Sequence, residues 1–243
     1  MHASQPHQSP SHDDLDGEDV FPASKSQAQL YFVQSTLGSA PTYHVPLFLR
    51  PDGPVDVAAL RAAVALVVSR HEALRTRFRP TPTGLMQVVD HDARVELAVD
   101  RAVPDLRAWM RSQAERPFDL HAGPLFRAAY VEDGPLLSLC FHHSVCDGWS
   151  GKVVLDEITR AYADFADGGE PKLPEVDFQF GDYALWHNEW LEGVTAERQL
   201  RYWETALSGE LPVLSLPPDA PPGAAPEGSG RTFDWAPPRD SVR

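Results

Sequence analysis

The feature that most constrains the fold is an apolar run, LLSLCFHH, at 136–143, which ends in two adjacent histidines and is followed by Asp147-Gly148. Every residue of the run is compatible with a β-strand, and Asp-Gly favours a turn, so the histidines lie where a strand leaves the core. Because successive strand residues point to opposite faces of a sheet, one histidine can face a channel while the other packs behind it. This geometry favours a single general base over a pair of metal ligands.

An imidazole suits acid–base chemistry because its ordinary pKa, about 6.5, is close to working pH. A neutral histidine on a rigid strand end can take a proton from an amine or hydroxyl as that group attacks a carbonyl. Asp147 can fix the local geometry through an ion pair or backbone hydrogen bonds, and Gly148 permits a close approach of substrate or chain. A His-His pair without further context is more often two hydrogen-bonded core histidines before a helix cap, so the pair alone does not decide its role.

The charge and the cysteines exclude several classes of function. A net charge of −14 argues against nucleic acid and anionic membranes as partners, since both attract basic patches. No apolar stretch is long enough to span a bilayer, and the N-terminus lacks the features of a signal peptide, so we expect a cytoplasmic protein. Cys140 and Cys146 form neither a disulfide framework nor a zinc pattern, so we expect no bound metal. We interpret Cys146 as a small packing residue rather than a catalytic thiol.

The pattern of apolar, capping and turn residues predicts helices mixed with strands. Helices are predicted over 24–36, 56–70, 105–115, 151–165, 180–191 and 197–207. Strands are predicted over 43–50, 75–79, 86–90, 95–99, 125–132 and 136–143, the last two joined by a tight hairpin at Asp133-Gly134. This order predicts an α+β fold in which helices flank a mixed sheet, rather than a Rossmann fold or a barrel.

Some positions carry more specific expectations. Pro46 confines its strand to a sheet edge or a bulge because proline lacks the N–H that pairs strands. In the first helix we expect Ala28, Tyr31, Phe32 and Ser35 on one side. Ser150 is expected to cap the helix that follows the histidine motif rather than to act as a nucleophile, since no Gly-x-Ser-x-Gly turn surrounds it.

Four stretches, in order along the chain, resemble the condensation domain of nonribosomal peptide synthetases. They are SKSQAQLYF at 24–32, RHEALRTRF at 70–78, HHSVCDGWS at 142–150 and FGDYALW at 180–186, with Tyr202-Trp203 and LPVLSLPPD similar to the segment that follows. An HHxxxDG motif occurs in several acyltransferase families, so by itself it is moderately specific. The second motif at the expected distance upstream makes the resemblance strong.

The resemblance implies a chloramphenicol-acetyltransferase-like fold of two lobes with the catalytic histidine between them. Donor and acceptor carrier proteins would deliver thioester-bound substrates on phosphopantetheine arms, no cofactor being bound directly, and the acceptor amine would attack the donor thioester to form an amide. It implies that His143 is catalytic, as a base or by positioning the amine, and that His142 supports it. Asp147 would be structural, Gly148 would line the channel with its N–H a candidate donor to the oxyanion, and Trp149 would be a packing wedge.

The other two motifs are expected to be mainly structural. RHEALRTRF combines a helix end with the start of a strand, and its arginines suit the negative end of the helix dipole. One of them is a candidate ion-pair partner for Asp147. FGDYALW is expected to pack in the core beneath the junction of the lobes, with a substrate contact as the alternative.

The chain is shorter than a complete two-lobe domain, and this sets the expected organisation. We expect a disordered acidic arm at 1–20, the N-terminal lobe at 21–176, a helical linker and the start of the second lobe at 177–210, and a proline-rich remainder at 211–243. A chain with only the histidine-bearing lobe is expected not to condense substrates by itself, since half of the channel wall lies in the other lobe.

Alternatives from other classes remain. Epimerization domains share HHxxxDG but usually continue with a Val-Ser-Trp pattern where this chain has Trp149-Ser150, and heterocyclization domains replace the histidines with aspartates. An O-acylating relative would use the same histidine on a hydroxyl. A lobe that only docks a carrier protein or a neighbouring synthetase domain is the non-catalytic alternative.

Overall fold

The computed structural model describes residues 18–214, which form two sheets and six α-helices. The strands are β1 (Glu18–Pro22), β2 (His44–Leu49), β3 (Thr76–Thr81), β4 (Gly84–Asp90), β5 (Leu97–Ala102), β6 (Phe126–Asp133) and β7 (Leu136–His142). The helices are α1 (Lys25–Leu37), α2 (Val57–Arg70), α3 (Leu106–Glu115), α4 (Gly148–Ala166), α5 (Phe180–Leu191) and α6 (Val194–Ala206), with short 3-10 turns at Pro41–Tyr43 and Glu72–Arg75. One compact unit ends at Arg198, and a second begins at Gln199, within α6.

The larger sheet carries the histidine motif and is mixed, as predicted. Its order is β2-β7-β6-β5, with β6 and β7 forming the antiparallel hairpin and β5 parallel to β6. The turn contains Gly134 at φ 94°, a backbone conformation that glycine adopts without strain. Pro46 lies in β2, opposite Cys140 of β7. Among the described strands β2 is at the edge of the sheet, so the missing N–H of Pro46 does not interrupt hydrogen bonding between two neighbouring strands.

Helices α2 and α4 cover one face of this sheet and enclose the main core. The buried stripe of α2 contains Leu60, Val64, Val67 and Val68, as its apolar spacing predicts. The core also includes Phe126 and Phe141 from paired strands, whose rings stack with centroids 4.7 Å apart. On the opposite face α3 packs through Trp109, whose indole Nε1 donates to Asp100 Oδ2 at 2.8 Å.

The smaller sheet has the order β1-β4-β3, and its first strand corrects the expected disordered arm. Glu18 to Pro22 pair with β4 in antiparallel register, so order begins by Glu18 rather than near Phe21. Arg77 of β3 donates to the Glu18 carboxylate across the sheet. The acidic residues before Phe21 carry little apolar periodicity, which is why their pairing was not visible in the sequence. The rest of the expected arm, 1–17, and most of the proline-rich remainder, 215–243, lie outside the described residues.

Helix α4 begins at Gly148, earlier than predicted, and Asp147 rather than Ser150 caps it. The Asp147 carboxylate accepts from Ser150 N at 2.7 Å and from Ser150 Oγ at 2.6 Å. Aspartate and serine both cap helices well, so sequence preference alone did not separate them. Ser24, Asp56 and Asp105 cap α1, α2 and α3 with side chains that accept from backbone N–H groups, and Ser24 forms a capping box with Gln27.

The buried side of α1 differs from the expected one. Phe32 is 72% exposed, whereas Gln27 and Gln34 are buried. Apolar spacing therefore did not identify the face that contacts the protein interior, because that face is polar.

Helix α5 belongs to the first unit, which continues past the lobe boundary expected at 176. Asn188 Nδ2 donates to Ala23 O at 3.1 Å, and Gln179 Nε2 donates to Arg70 O at 2.9 Å. Between Glu18 and Leu214, the structure contains no helix of the length and apolarity that crossing a membrane requires.

Candidate active site

The end of β7 places the two motif histidines in opposite environments. His142 is 1% exposed and pairs with His44 across the sheet, whereas the next residue, His143, is exposed. The backbone N–H of His143 donates to Tyr43 O at 2.7 Å, which fixes the main chain at this point. His142 is the last residue of β7, whereas His143 lies in the turn that follows, so the two histidines differ in burial because the chain leaves the sheet between them.

His142 is held as a neutral imidazole. Burial, together with the nearby His44 and His143, lowers its pKa to about 4. Its Nδ1 lies 2.7 Å from Ser144 Oγ and accepts from Ser144 N at 3.2 Å, and its Nε2 lies 3.5 Å from Gln34 Oε1. The rings of Tyr43 and His44 approach it with centroids 6.3 Å away. With this pKa His142 is neutral near pH 7, and both of its ring nitrogens lie within 3.5 Å of buried polar groups.

His143 lies in the wall of a cleft of about 310 Å³. Three segments of the chain form this wall, namely the start of α1, the stretch from His143 into the first turn of α4, and one side of α5. Their lining residues are Ser24, Ser26, Gln27 and Leu30, then His143, Ser144, Val145, Cys146, Asp147 and Ser150, then Phe180, Tyr183 and His187. The cleft joins an accessible imidazole to an apolar wall, a combination suited to small-molecule binding.

Asp147 caps α4 and pairs with none of the three arginines of the second motif. Hydrogen bonds from the Ser150 side chain and backbone hold the pKa of its carboxyl below the usual value. The motif arginines lie elsewhere: Arg70 binds Glu157, Arg77 binds Glu18, and Arg75 is buried and donates to main-chain oxygens including Val68 O at 3.2 Å. Asp147 acts as a helix cap rather than as the partner of one of these cations.

Gly148 and Trp149 lie beside the cleft. Gly148 is exposed at the first position of α4, and a Cβ placed there would meet no atom within 4 Å. Trp149 is 79% exposed, so the expectation that it wedges into the core is wrong. The buried positions of α4 are Gly151, Val154, Ile158 and Ala161, and position 149 falls outside that stripe. Trp149 instead lines a neighbouring cavity of about 230 Å³ with Val153 and Phe178.

Cys146 packs in the core, as its interpretation as a small packing residue predicted. It is buried in the main cluster, and burial, with the nearby Asp147 charge, raises the pKa of its thiol to about 12. A thiol that stays protonated is a poor nucleophile. Among residues 18–214, no group of three or more His, Cys, Asp or Glu side chains is arranged to hold a metal ion.

The second motif, RHEALRTRF at 70–78, forms hydrogen bonds with α4 and with the residue that precedes α5. Glu157 of α4 accepts from Arg70 Nε at 3.1 Å and from His71 Nε2 at 2.9 Å. Burial would raise the pKa of the Glu157 carboxyl, but the hydrogen bonds from Arg70 and His71 outweigh it and lower the pKa. Gln179 Oε1 accepts from Glu72 N at 3.2 Å, so the same motif also holds the start of α5.

The fourth motif contributes to the cleft more than was expected. Phe180 and Tyr183 line it, while Gly181 and Ala184 are buried beneath and Trp186 is exposed. His187, which was not predicted from the sequence, also lines the cleft, and its ring stacks on Tyr183 with centroids 5.2 Å apart. His187 follows Tyr183 by four residues in a predicted helix, so the two side chains lie on the same face, and this spacing could have indicated His187 from the sequence.

A buried polar network beneath the motif was also not predicted from the sequence. It consists of Ser24, Gln27, Gln34, Gln87 and Ser144 together with His142. Gln27 and Gln34 are seven residues apart and so share one face of α1, which is the signal that could have indicated them.

Sequence comparisons match most of the chain to one family. The family model described as the condensation domain matches residues 17–237. A linear gramicidin synthase of Brevibacillus parabrevis is 35% identical over 215 residues, and malpinin synthetase of Mortierella alpina is 37% identical over 212. Each match covers 82% of this chain and only 3% of the relative's length.

Solved structures of similar fold match about half of their own length. The X-domain from teicoplanin biosynthesis aligns with a TM-score of 0.75 and 28% identity, covering 89% of this chain and 50% of that chain. The starter condensation domain of the rhizomide synthetase RzmA aligns with a TM-score of 0.70 and 22% identity, covering 78% of this chain and 48% of that one. The second likeness shows the fold alone, and together the two confirm the predicted α+β arrangement.

Proposed function

Because the chain belongs to the condensation-domain family, as its four motifs predicted, we propose that it carries the catalytic histidine of an amide-forming acyltransferase in nonribosomal peptide synthesis. The observation that supports this most directly is the exposure of His143 in a partly apolar cleft, on a backbone fixed by Tyr43. The buried neutral His142 behind it supports the assignment of His143, rather than His142, as the reacting group.

The proposed reaction joins an acceptor amine to a donor thioester. The amine nitrogen attacks the thioester carbonyl, a C–N bond forms, the C–S bond breaks, and the donor thiol leaves. His143 takes the proton that the attacking nitrogen loses and returns it to the leaving sulfur, or holds the amine in line for attack. The backbone N–H of Gly148, at the N-terminus of α4, is the candidate donor to the oxyanion that forms on the way.

The proposed partners are a donor and an acceptor carrier protein, each presenting its substrate on a phosphopantetheine arm, and the neighbouring synthetase domains. The apolar part of the cleft, formed by Leu30, Phe180 and Tyr183, is the surface we assign to a substrate arm. Since the solved condensation domain is about twice the length that this chain matches, we propose that condensation requires the remaining half of the domain.

The test is a His143→Ala variant in the presence of the complementary half of the domain. Carrier proteins loaded with donor and acceptor thioesters supply the substrates, and mass spectrometry measures the amide product. General acid–base catalysis contributes about 10²- to 10⁴-fold, so turnover is expected to fall by at least about 100-fold. His91→Ala is the matched control, because His91 contacts Asp19 on the surface away from the cleft. Unchanged turnover in His143→Ala would reject the proposal.

A non-catalytic docking role is the second candidate, and one comparison favours it. The X-domain from teicoplanin biosynthesis, 28% identical to this chain, has also been solved in a complex with OxyB. A docking lobe would bind its partner equally well with and without the His143 imidazole. Carrier-protein binding that survives in His143→Ala, together with wild-type turnover, would make docking the better account.

A further inference from the structure

A chain of buried polar groups connects α1 to the loop that carries His143. Gln34, near the end of α1, contacts His142, and His142 contacts Ser144. Gln27, two turns earlier in α1, contacts the main chain of Ser144. The residues on both sides of His143 are therefore held from below by two glutamines of one helix. Such buried polar groups are costly to leave unpaired, so a fully bonded network restricts the loop to one conformation.

The geometry around His142 selects one tautomer. A backbone N–H is always a donor, and Ser144 N donates to Nδ1 of His142 at 3.2 Å. Nδ1 must therefore carry a lone pair, and the Ser144 hydroxyl, 2.7 Å away, is placed to donate to it as well. In a neutral imidazole the proton then lies on Nε2, the nitrogen that faces Gln34 Oε1 at 3.5 Å.

The orientation of the Gln34 amide is set independently of the histidine. Its Nε2 donates to Gly38 O at 2.6 Å and to Ala40 O at 3.1 Å, both in the turn that ends α1. These two acceptors use the amino side of the amide, so the oxygen is turned towards His142. An amide flipped the other way would place its donors against the Nε2–H of His142 and lose both carbonyl contacts.

The second connection reinforces the first. Gln27 Nε2 donates to Ser144 O at 3.3 Å and to Gln87 Oε1 at 3.5 Å, while Gln27 Oε1 accepts from Ser24 N at 2.9 Å. Gln87 Nε2 in turn donates to Pro22 O at 3.1 Å. The loop is thus tied through α1 to the small sheet, and Ser24, Gln27, Gln87 and Ser144 are all buried.

We propose that Gln34 is a positioning residue for His143: its amide oxygen accepts the Nε2–H of His142, keeps Nδ1 free to accept from Ser144, and so fixes the loop on which the His143 imidazole is presented. The role of His143 in this statement rests on the proposed function. Gln34 itself does not touch the cleft, so its effect on the reaction passes through the geometry of His142 and Ser144.

The tautomer is tested first, on the 243-residue chain, by long-range ¹H–¹⁵N NMR of the histidine rings. The expected result for the wild type is a His142 signal with the proton on Nε2. Gln34→Met, which removes acceptor and donors at similar volume, is expected to shift or broaden that signal and the signals of His143. Gln29→Met is the matched control, since Gln29 is exposed on the same helix. A wild-type proton on Nδ1 of His142 would overturn the inference.

The catalytic consequence is tested with the complementary half of the domain and carrier-bound substrates. A slight misplacement of a reacting group costs about tenfold or more in rate, so Gln34→Met is expected to lower kcat by at least about tenfold with KM little changed. Gln34→Glu keeps an oxygen that can accept from His142 but loses the donors to Gly38 O and Ala40 O, so it is expected to lower kcat less than Gln34→Met does. Because its carboxylate would stabilise protonated His142, it is also expected to shift the acid limb of the pH profile.

The outcomes separate this inference from the proposed function. Full kcat in Gln34→Met, with His143→Ala inactive, would overturn the positioning role and leave the catalytic histidine in place. Equal losses of kcat in Gln34→Met and Gln34→Glu, with unchanged His142 NMR signals, would also overturn it. The loss of activity would then not depend on an oxygen at position 34 that accepts from His142. The NMR result does not depend on the reaction, so it holds or fails whatever His143→Ala shows.

Discussion

Gly181 of α5 lies directly against the ring of Phe21 in β1. A Cβ at position 181 would lie 2.8 Å from Cδ2 and 2.9 Å from Cγ and Cε2 of that ring, closer than carbon atoms approach. The absence of a side chain at Gly181 thus sets how closely α5, which lines the cleft, packs on the small sheet. Gly181 is the glycine of the fourth motif, FGDYALW, and this contact explains why a larger residue would not fit at that position.

Gly181→Ala is expected to lower the free energy of unfolding by about 1–3 kcal/mol, the usual cost of overpacking a filled site. Chemical denaturation of the 243-residue chain measures it. Gly53→Ala is the matched control, because a Cβ at Gly53 meets nothing within 4 Å, and it should change stability by about 0.5 kcal/mol or less. Phe21→Leu in the Gly181→Ala background should recover part of the loss, whereas equal stability of Gly181→Ala and wild type would contradict the contact.

Glu157→Ala is expected to destabilise the fold by about 2 kcal/mol, since it leaves Arg70 and His71 without their shared acceptor in a largely buried place. The pKa of the Glu157 carboxyl is lowered in the folded chain, so its contribution is present above the unfolded pKa, about 4.3. That contribution is lost as pH falls through the folded pKa, and the gap between wild type and variant should therefore close in acid.

Asp156→Ala provides the comparison for Glu157. Asp156 is the neighbouring residue, and its partner Lys152 lies 2.6 Å away on an exposed part of α4. Exposed pairs of this kind contribute about 0.5 kcal/mol. A loss in Asp156→Ala as large as in Glu157→Ala would show that the second motif does not fasten α4 as the geometry indicates.

The pH dependence of stability should report the burial of His142. Its pKa falls from 6.5 to about 4 on folding, so between these values the unfolded chain binds a proton that the folded chain does not. The free energy of unfolding therefore decreases as pH falls through this window, by up to about 3 kcal/mol. Urea unfolding at about pH 5 and about pH 7 should show this decrease in wild type and a smaller one in His142→Asn. A His142→Asn slope equal to that of wild type would contradict a neutral buried His142.

Neither cysteine of the folded chain is expected to react readily with a thiol reagent. Both are buried, and burial raises the pKa of each thiol, that of Cys146 to about 12. Labelling with a disulfide reagent should be slow in buffer and should reach two thiols per chain after denaturation. Trp149→Cys supplies the positive control, because position 149 is highly exposed and should label at once. Fast labelling of Cys146 in native wild type would reopen its role as a reactive thiol.

Most helices and strands, and the motif that marks the site, were predictable because their signals are local. The stripe of α2 follows from apolar residues at helical spacing, and the β6–β7 hairpin follows from Asp133-Gly134 between two apolar runs. The alternation of strand side chains predicted different environments for the two histidines, although His143 lies in the turn just after β7.

Other features depend on contacts between distant parts of the chain. The composition of residues Glu18 to Pro22 does not indicate a strand. They form β1 because they pair with β4, which is about seventy residues away in sequence. The buried face of α1 carries Gln27 and Gln34 because the loop after β7 supplies their partners. The exposure of Trp149 also depends on distant segments, because no segment among the described residues packs closely over its side chain.

The sequence by itself thus determined most of the secondary structure, the family and the pair of histidines at the strand end, because periodicity, caps and motifs act over a few residues. The tertiary structure decided that His142 is buried and neutral, and that His143 faces the cleft. It also decided that the Glu157 carboxylate accepts hydrogen bonds from Arg70 and His71. Burial and charge pairing depend on which distant segments remove water from a side chain, and that is settled only when the whole chain packs.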